Sequence, residues 1–232
     1  MGESENLLER LRSVRETPEQ PSAEALAKRE VAAELRAFIH AIGSSGASVG
    51  QMRELAAQLR VQSDLLTSAG RRPAAASATP GGLAGMEDFL DRSPITGHAN
   101  PMAPPAALTA DLEAGVVRGE VHFGAAFEGA PGCVHGGFVA AVLDEALGMA
   151  CIFSGTQGMT GELITRYHHH TPVAALLRVE ARLVSVDGRK IRTTGEIYHG
   201  DLVVAEASGL FIAVDTGKFE RLAAARLERA GS

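Results

Sequence analysis

The residues best suited to chemistry lie in one short stretch, His135-Gly136-Gly137 followed by Asp144. Glycines at the start of a helix leave backbone N–H groups open to a ligand, because no Cβ obstructs the approach. Asp144 lies nine positions after His135. Its segment is predicted to be buried, where a carboxylate is costly unless it has a partner or a task. The pattern predicts an oxyanion or carbonyl site at the helix start.

The helix that carries Asp144 is predicted to be hydrophobic on all sides. From Phe138 to Phe153 every residue is apolar or glycine except Asp144 and Glu145, so the rest of the domain must wrap it. We expect it to be too short for a bilayer, where acids at mid-span would also be costly. Residues 158–215 are strand-like and long enough to form the wrapping.

Strands are predicted on both sides of this helix, and small residues at the centre of the last one suit close packing on a helix. Asp187-Gly188 favours a tight hairpin turn with positive φ. The fold class expected is α+β, with a mainly antiparallel sheet around one buried helix. The predicted strands are Leu108–Glu113, Val116–Phe123, Thr160–Thr171, Leu176–Val186, Lys190–His199 and Leu202–Asp215, the last with Val203, Ala205, Ala207, Gly209, Phe211 and Ala213 on one face.

The N-terminal third has a helical pattern. Residues 4–16 are predicted to form a short helix. Residues 22–68 are predicted to form a helical hairpin with Ser22 as N-cap, its first helix ending near Ala41 and its apolar stripes facing a core or an oligomer interface. The stretch 71–85 is rich in Ala, Gly and Pro, typical of a linker. Prolines in Ser93–Pro105 favour an extended segment, a lid or a wrap.

The composition restricts the class of function. The chain has 232 residues, 45% of them hydrophobic and 22% charged, with a formal net charge of −6. These values are typical of globular domains, and the lack of a basic stripe argues against a nucleic-acid partner. No signal-like or membrane-length stretch is expected, so the predicted location is cytoplasmic and no membrane partner is expected. Cys133 and Cys151 lack metal-type spacing.

Three segments together resemble a known family: GAPGCVHGGFVAAVLDEALG, MTGELITRYHHHTPV and VDGRK. They resemble the hotdog-fold acyl-CoA thioesterases of the phenylacetate-pathway (PaaI-like) type and related mammalian thioesterase-superfamily proteins, over roughly residues 94–215. The resemblance implies a hotdog fold, an acyl-CoA substrate, no cofactor beyond the coenzyme A of the substrate, and a homodimer or dimer of dimers with sites at the subunit interface.

The resemblance also implies roles for particular residues. Gly137, with Gly136, would donate backbone N–H groups to the thioester carbonyl, and His135 would fix the loop or contact the substrate. Asp144 would be general base or nucleophile, and the Thr160 hydroxyl would hold the water or the acid. The candidates for binding the CoA phosphates are Arg166, His168, Arg189 and Lys190.

The chain departs from the family pattern at two positions, and its sequence also raises two alternatives, a metal site and a cysteine nucleophile. Some relatives carry Asn or Gln six residues before the His, where this chain has Gly129, and histidines occupy a position that is basic in relatives. His168 and His170 would share a face on a strand, but no third ligand at a recognisable spacing is seen, so no metal is predicted. Cys133 as a nucleophile lacks an orienting partner. Glu145 is expected to have a structural pairing.

The predicted function is hydrolysis of an acyl-CoA to free CoA and a carboxylic acid. One alternative is a non-catalytic acyl-CoA-binding or scaffold module, which the long N-terminal extension would suit. A hydratase or dehydratase on the same fold lacks its usual His–acid arrangement here. The predicted organisation is a helical extension at 1–70, a linker at 71–93, the hotdog domain at 94–216 and a tail at 217–232.

Overall fold

The computed structural model describes residues 21–70 and 91–214. Its helices and strands are α1 (Ala23–Ser44), α2 (Val49–Ser68), β1 (Ala107–Asp111), β2 (Val116–His122), α3 (Gly136–Ala150), β3 (Gly158–Tyr167), β4 (Leu176–Asp187), β5 (Lys190–His199) and β6 (Leu202–Ala213). The strands form one sheet in the order β1-β2-β4-β5-β6-β3, and every neighbouring pair is antiparallel. This sheet, packed on α3, confirms the α+β hotdog fold.

Helix α3 supplies the centre of the hydrophobic core. Its buried residues recur at spacings of one and three, which places them on one face. The opposite face, with Asp144 and Glu145, is only half-buried. Wrapping of the helix on all sides was therefore a wrong expectation for the part of the chain that the structure describes. The buried residues are Val139, Val142, Leu143, Ala146, Leu147 and Ala150.

The same helix has the length and composition of a membrane span. With the 3-10 turn Cys151–Ser154 it gives an apolar run of 19 residues, Gly136–Ser154. The expectation that no stretch approaches this length is therefore wrong by that measure. The core helix of a globular protein passes the same test, and here the buried face packs on the sheet.

Glycines in the sheet allow α3 to approach closely. A Cβ on Gly195 would lie 2.7 Å from Leu147 Cδ1, and one on Gly209 would lie 2.9 Å from Leu147 Cδ2. In β6, Ala205, Ala207 and Phe211 are buried, which confirms the predicted core face of that strand. The tight hairpin turn is also confirmed, with a φ of +54° at Gly188, but Asp187 still belongs to β4 and pairs with Lys190, so the two turn residues are Gly188 and Arg189.

Leu147 should therefore contribute strongly to stability. The Leu147→Ala variant leaves a cavity between α3 and the two glycines, and we expect a loss of about 2–5 kcal/mol in the free energy of unfolding. The matched control is Leu202→Ala on the exposed start of β6, which should change it by about 0.5 kcal/mol at most. Urea denaturation measures both, and equal losses would contradict this packing.

The two N-terminal helices are confirmed, but their apolar stripes are not core-facing. The Ser22 hydroxyl accepts the Ala25 N–H as the N-cap of α1, and α1 runs to Ser44, beyond the predicted end. Only Ala32 is buried on α1, and no residue is buried on α2. The predicted helix at 4–16, the linker at 71–85 and the tail at 217–232 lie outside the described residues.

Two irregular segments differ from their predictions. Residues 93–105 form successive turns rather than an extended wrap, because the Ser93 hydroxyl accepts the N–H groups of Ile95 and Thr96. Strand β3 ends at Tyr167 instead of Thr171, because the N–H groups of His168 and His169 both donate to the Val204 carbonyl. The three histidines therefore follow the strand.

Candidate active site

His135 caps the glycine-rich start of α3. Its Nδ1 accepts the Gly137 N–H at 3.1 Å, and its extended backbone is typical of an N-cap residue. An accepting Nδ1 is unprotonated, so the ring proton lies on Nε2 when the imidazole is neutral. The Gly137 N–H, first of the two predicted substrate donors, is therefore already engaged by His135.

Gly136 provides the open backbone donor. Its N–H is the first of α3 and has no partner among the described residues. The N–H groups of the first helical turn have no intrahelical acceptor, and the helix dipole makes this end attractive to negative charge. One donor thus points away from the helix at the position where the sequence predicts a carbonyl or oxyanion.

Tyr167 holds the other side of this peptide, a contact that the sequence analysis missed. Its hydroxyl donates to the Gly136 carbonyl at 2.8 Å. The Gly136–Gly137 peptide is therefore fixed at its C=O by Tyr167 and at its N–H by His135. Tyr167 ends β3, and only the placement of that strand over the helix start brings it there.

Gly129 explains one departure from the family pattern. A Cβ at this position would lie 2.9 Å from His135 Cα, so a side chain there would force the backbone apart. The loop is closed by hydrogen bonds from the Gly129 N–H to the Cys133 carbonyl and from the His135 N–H to the Phe127 carbonyl, both at 2.8 Å. The close approach of the two backbones therefore leaves no room for a side-chain donor at this position.

Asp144 and Thr160 are brought together as the sequence suggests. The Thr160 hydroxyl donates to Asp144 Oδ1 at 2.9 Å. Asp144 is half-buried on the open face of α3, and Thr160 is exposed on β3. Oδ2 of Asp144 has no hydrogen bond within the described ranges. The carboxylate is thus held by one oxygen and can accept a proton at the other.

Glu145 has a different environment from its neighbour. The hydroxyls of Ser93 and Thr96 lie 3.2 and 3.3 Å from its Oε1. These bonds tie the turns of the 93–105 segment to α3. The expected pairing of Glu145 is thus present, with two hydroxyls as its partners.

The open amide and the acid lie far apart in one chain. Gly136 and Asp144 are separated by eight residues of α3, a rise of about 12 Å. A single thioester carbonyl and its attacking water lie within about 3.5 Å of each other. The Gly136 N–H and the Asp144 carboxylate of one chain therefore do not act on the same thioester group.

The predicted phosphate-binding residues fall into two groups. Arg166 and His168 both contact Glu206, at 3.0 and 3.2 Å, near the Tyr167 end of β3. Arg189 donates to the Ala213 carbonyl, and Lys190 pairs with Ile212, beside the Thr160 end of β3. No trio of His, Cys, Asp or Glu in the described ranges is placed to hold a metal.

The two cysteines differ in burial. Burial raises the pKa of the Cys151 thiol to about 12, and the Asp144 carboxylate adds to the rise. Cys133 is half-buried and its Sγ lies 3.6 Å from the Pro131 carbonyl. Since His135 Nδ1 is engaged by Gly137, no base at that nitrogen activates Cys133.

We therefore expect iodoacetamide to label Cys133 and spare Cys151 in the folded protein at mildly alkaline pH, because only the thiolate reacts. Peptide mass spectrometry measures the labelling, with the denatured chain as control. Equal labelling of both thiols in the folded protein would contradict the raised pKa of Cys151.

The same shift makes stability depend on pH. The unfolded chain loses the Cys151 proton near its ordinary pKa of 9.0. The free energy of unfolding should therefore fall as pH rises between about 9 and 12.

Comparisons with known proteins identify the family of this chain. A family model described as Thioesterase superfamily matches residues 131–206. Acyl-coenzyme A thioesterase THEM4 of Rattus norvegicus is 34% identical, and that of Mus musculus 33%, each over 93 residues, 39% of this chain and 40% of the relative. The chain thus spans about two fifths of the length of these curated relatives.

A solved structure extends the likeness over most of the chain. The crystal structure of RHA08564, a thioesterase superfamily protein, is 32% identical with a TM-score of 0.70. The match covers 84% of this chain and 93% of that one, so it includes more than the hotdog domain. By its sequence and its fold, this chain belongs to the thioesterase superfamily.

Proposed function

We propose that the protein is an acyl-CoA thioesterase, hydrolysing the thioester to coenzyme A and a carboxylic acid. One observation carries this proposal: α3 has an open N–H at its start, on Gly136, and a carboxylate farther along, Asp144, which is held by Thr160. The relatives named acyl-coenzyme A thioesterase support the substrate class. No cofactor beyond the CoA part of the substrate is needed.

In the proposed reaction, Asp144 takes a proton from water as the water oxygen bonds to the thioester carbon. The carbonyl oxygen becomes an oxyanion, which the Gly136 N–H and the helix dipole stabilise. Collapse of this intermediate breaks the C–S bond, and the thiolate recovers the proton from Asp144. Water is thereby divided between the acid and the thiol, and the enzyme returns to its starting state.

The site requires two chains, since the two groups of one chain lie about 12 Å apart along α3. Strand β3 forms an edge of the sheet and exposes Met159, Ile164 and Tyr167. Long edges with exposed apolar side chains favour pairing with another strand. We infer that β3 pairs antiparallel with its copy in a homodimer.

This pairing would join the two halves of the site. Thr160, beside Asp144, and Tyr167, beside Gly136, lie near opposite ends of β3. Antiparallel pairing about the centre of β3 sets Thr160 opposite Thr165 of the partner subunit, two residues before the Tyr167 end of that strand. The acid of one chain then faces the open amide of the other, twice per dimer.

The same pairing would gather the basic residues. Arg189 and Lys190 lie at the Thr160 end of the sheet, and Arg166 and His168 at the Tyr167 end. Each composite site would receive one group from each subunit. Arginine and lysine suit the phosphates of coenzyme A.

The test is thiol release by the wild-type chain from acetyl-, hexanoyl-, palmitoyl-, phenylacetyl-, benzoyl- and crotonyl-CoA, with the acid product measured in parallel. One acid per thiol from at least one ester is the expected result. Binding of the esters without release would favour the scaffold alternative. Hydration of crotonyl-CoA without release would favour the hydratase alternative, and either outcome would overturn the proposal.

A further inference from the structure

Helix α1 reaches the loop before α3 through His40. Its Nδ1 accepts the Ala126 N–H at 3.1 Å. Ala126 lies in the 3-10 turn Ala125–Phe127, whose N-cap residue, Gly124, has no side chain to satisfy the first N–H groups. His40 therefore caps this turn from a distant part of the chain.

The turn capped by His40 contacts the residue before and the residue after the Gly136-Gly137 pair at the start of α3. The Phe127 carbonyl accepts the His135 N–H at 2.8 Å. The buried Phe127 ring packs edge-on against Phe138, with ring centroids 4.8 Å apart, and lies 5.9 Å from the His40 ring. A displacement of the turn would therefore move His135 and Phe138, which flank the Gly136-Gly137 pair.

The fit between α1 and the turn is close. A Cβ on Gly124 would lie 2.5 Å from His40 Cε1, so the backbone rests directly on the ring. Other contacts anchor α1 independently, namely the Arg29–Asp91 ion pair at 2.8 Å and the bonds from Arg36 to the His98 and Asn100 carbonyls. A change at His40 therefore leaves the other anchors of α1 in place.

We propose that His40 is a positioning residue, through which the N-terminal helix fixes the loop that presents the Gly136 N–H to the substrate. This rests on the proposed function. The contact of His40 makes α1 part of the hydrolytic site. It acts in the transition state, because stabilisation of the oxyanion depends on the direction of the Gly136 N–H.

The matched variants are His40→Leu and His40→Asn. Asn offers Oδ1 where His has Nδ1, so it can still accept the Ala126 N–H, whereas Leu is of similar size and cannot. We expect His40→Leu to lower kcat about ten- to a hundred-fold with KM nearly unchanged, and His40→Asn to restore most of the rate. Leu is the better helix former, so a merely structural effect would give the opposite order and overturn the proposal.

Hydrogen exchange tests the coupling without any turnover. The amides of Ala126 and His135 should exchange faster in His40→Leu than in the wild type and nearly normally in His40→Asn. If the wild type cleaves no acyl-CoA, the proposed function fails, and the exchange rates still decide the coupling. Unchanged exchange in His40→Leu would overturn the positioning role.

A cavity of about 370 Å³ beside His40, lined also by Arg36 and Phe127, permits chemical rescue. In His40→Ala, added imidazole should restore part of the kcat lost, because its unprotonated nitrogen can accept the Ala126 N–H. Pyrrole has the same shape without an accepting nitrogen and should not. Equal rescue by both, or rescue by neither, would count against the proposal.

Discussion

Asp144→Asn is expected to lower kcat for acyl-CoA hydrolysis about a hundred-fold or more, with a much smaller change in KM. The amide is the same shape as the carboxylate, and its oxygen can still accept the Thr160 hydroxyl, whose bond to Asp144 Oδ1 is 2.9 Å. What the variant loses is the basic oxygen that takes the proton from water. Steady-state thiol release on the best ester of the panel measures the effect.

Glu145→Gln is the matched control, because it makes the same chemical change one position along α3. Glu145 contacts Ser93 and Thr96, and its amide can still accept from either hydroxyl. We expect kcat within a few-fold of the wild type, with some loss of stability. Near-normal turnover by Asp144→Asn, or an equal loss in both variants, would remove Asp144 from the role of general base.

Gly136→Pro is expected to lower kcat about a hundred- to a thousand-fold, the usual effect of losing one oxyanion donor. Proline removes only the N–H that has no partner in the described structure. It is favoured at the first position of a helix. The preceding residue, His135, has φ −60° and ψ 129°, a conformation that a residue before proline readily adopts.

Gly136→Ala separates the lost donor from the added bulk. Its Cβ would lie 3.3 Å from the Tyr167 ring, the same contact that a proline Cβ meets, but its N–H remains. We expect the alanine variant to keep most of the rate, and thermal unfolding to be similar in the two variants. An equal loss of kcat in both would show that crowding of Tyr167, and not the missing donor, is responsible.

Local patterns in the sequence predicted the sheet well. The bounds of β5 were predicted as Lys190–His199, and the structure has the same bounds, because alternation and the Asp-Gly turn are properties of neighbouring residues. The face of β6 that packs on α3 was predictable from the small residues at every second position. The spacing from His135 to Asp144 likewise depends only on a continuous helix.

Contacts between distant residues were not predictable in this way. His40 and Ala126 are 86 positions apart, and Tyr167 and Gly136 are 31 apart. No local pattern distinguishes His40 from any other polar residue on a helix. The family pattern favoured Gly137 as a donor, but the cap that His135 forms on it depends on a side-chain rotation that spacing does not determine.

The prolines of residues 93–105 were also misleading. They exclude a regular helix, but they do not choose between an extended chain and successive turns. The choice is made by polar groups, because Ser93 and the Asp91 carbonyl accept N–H groups that an extended chain would leave to solvent. The segment thereby links Arg29 of α1, through Asp91, to Glu145 of α3.

Subunit complementation tests the central claim most directly, since it requires both hydrolysis and a site made by two chains. Asp144→Asn and Gly136→Pro subunits, each nearly inactive alone, are mixed, dissociated and reassembled, and thiol release is measured. In a mixed dimer one site carries both defects and the other carries neither. Random reassembly should therefore restore about a quarter of the wild-type activity. No recovery, with mixed dimers shown to form, would contradict a site shared between subunits.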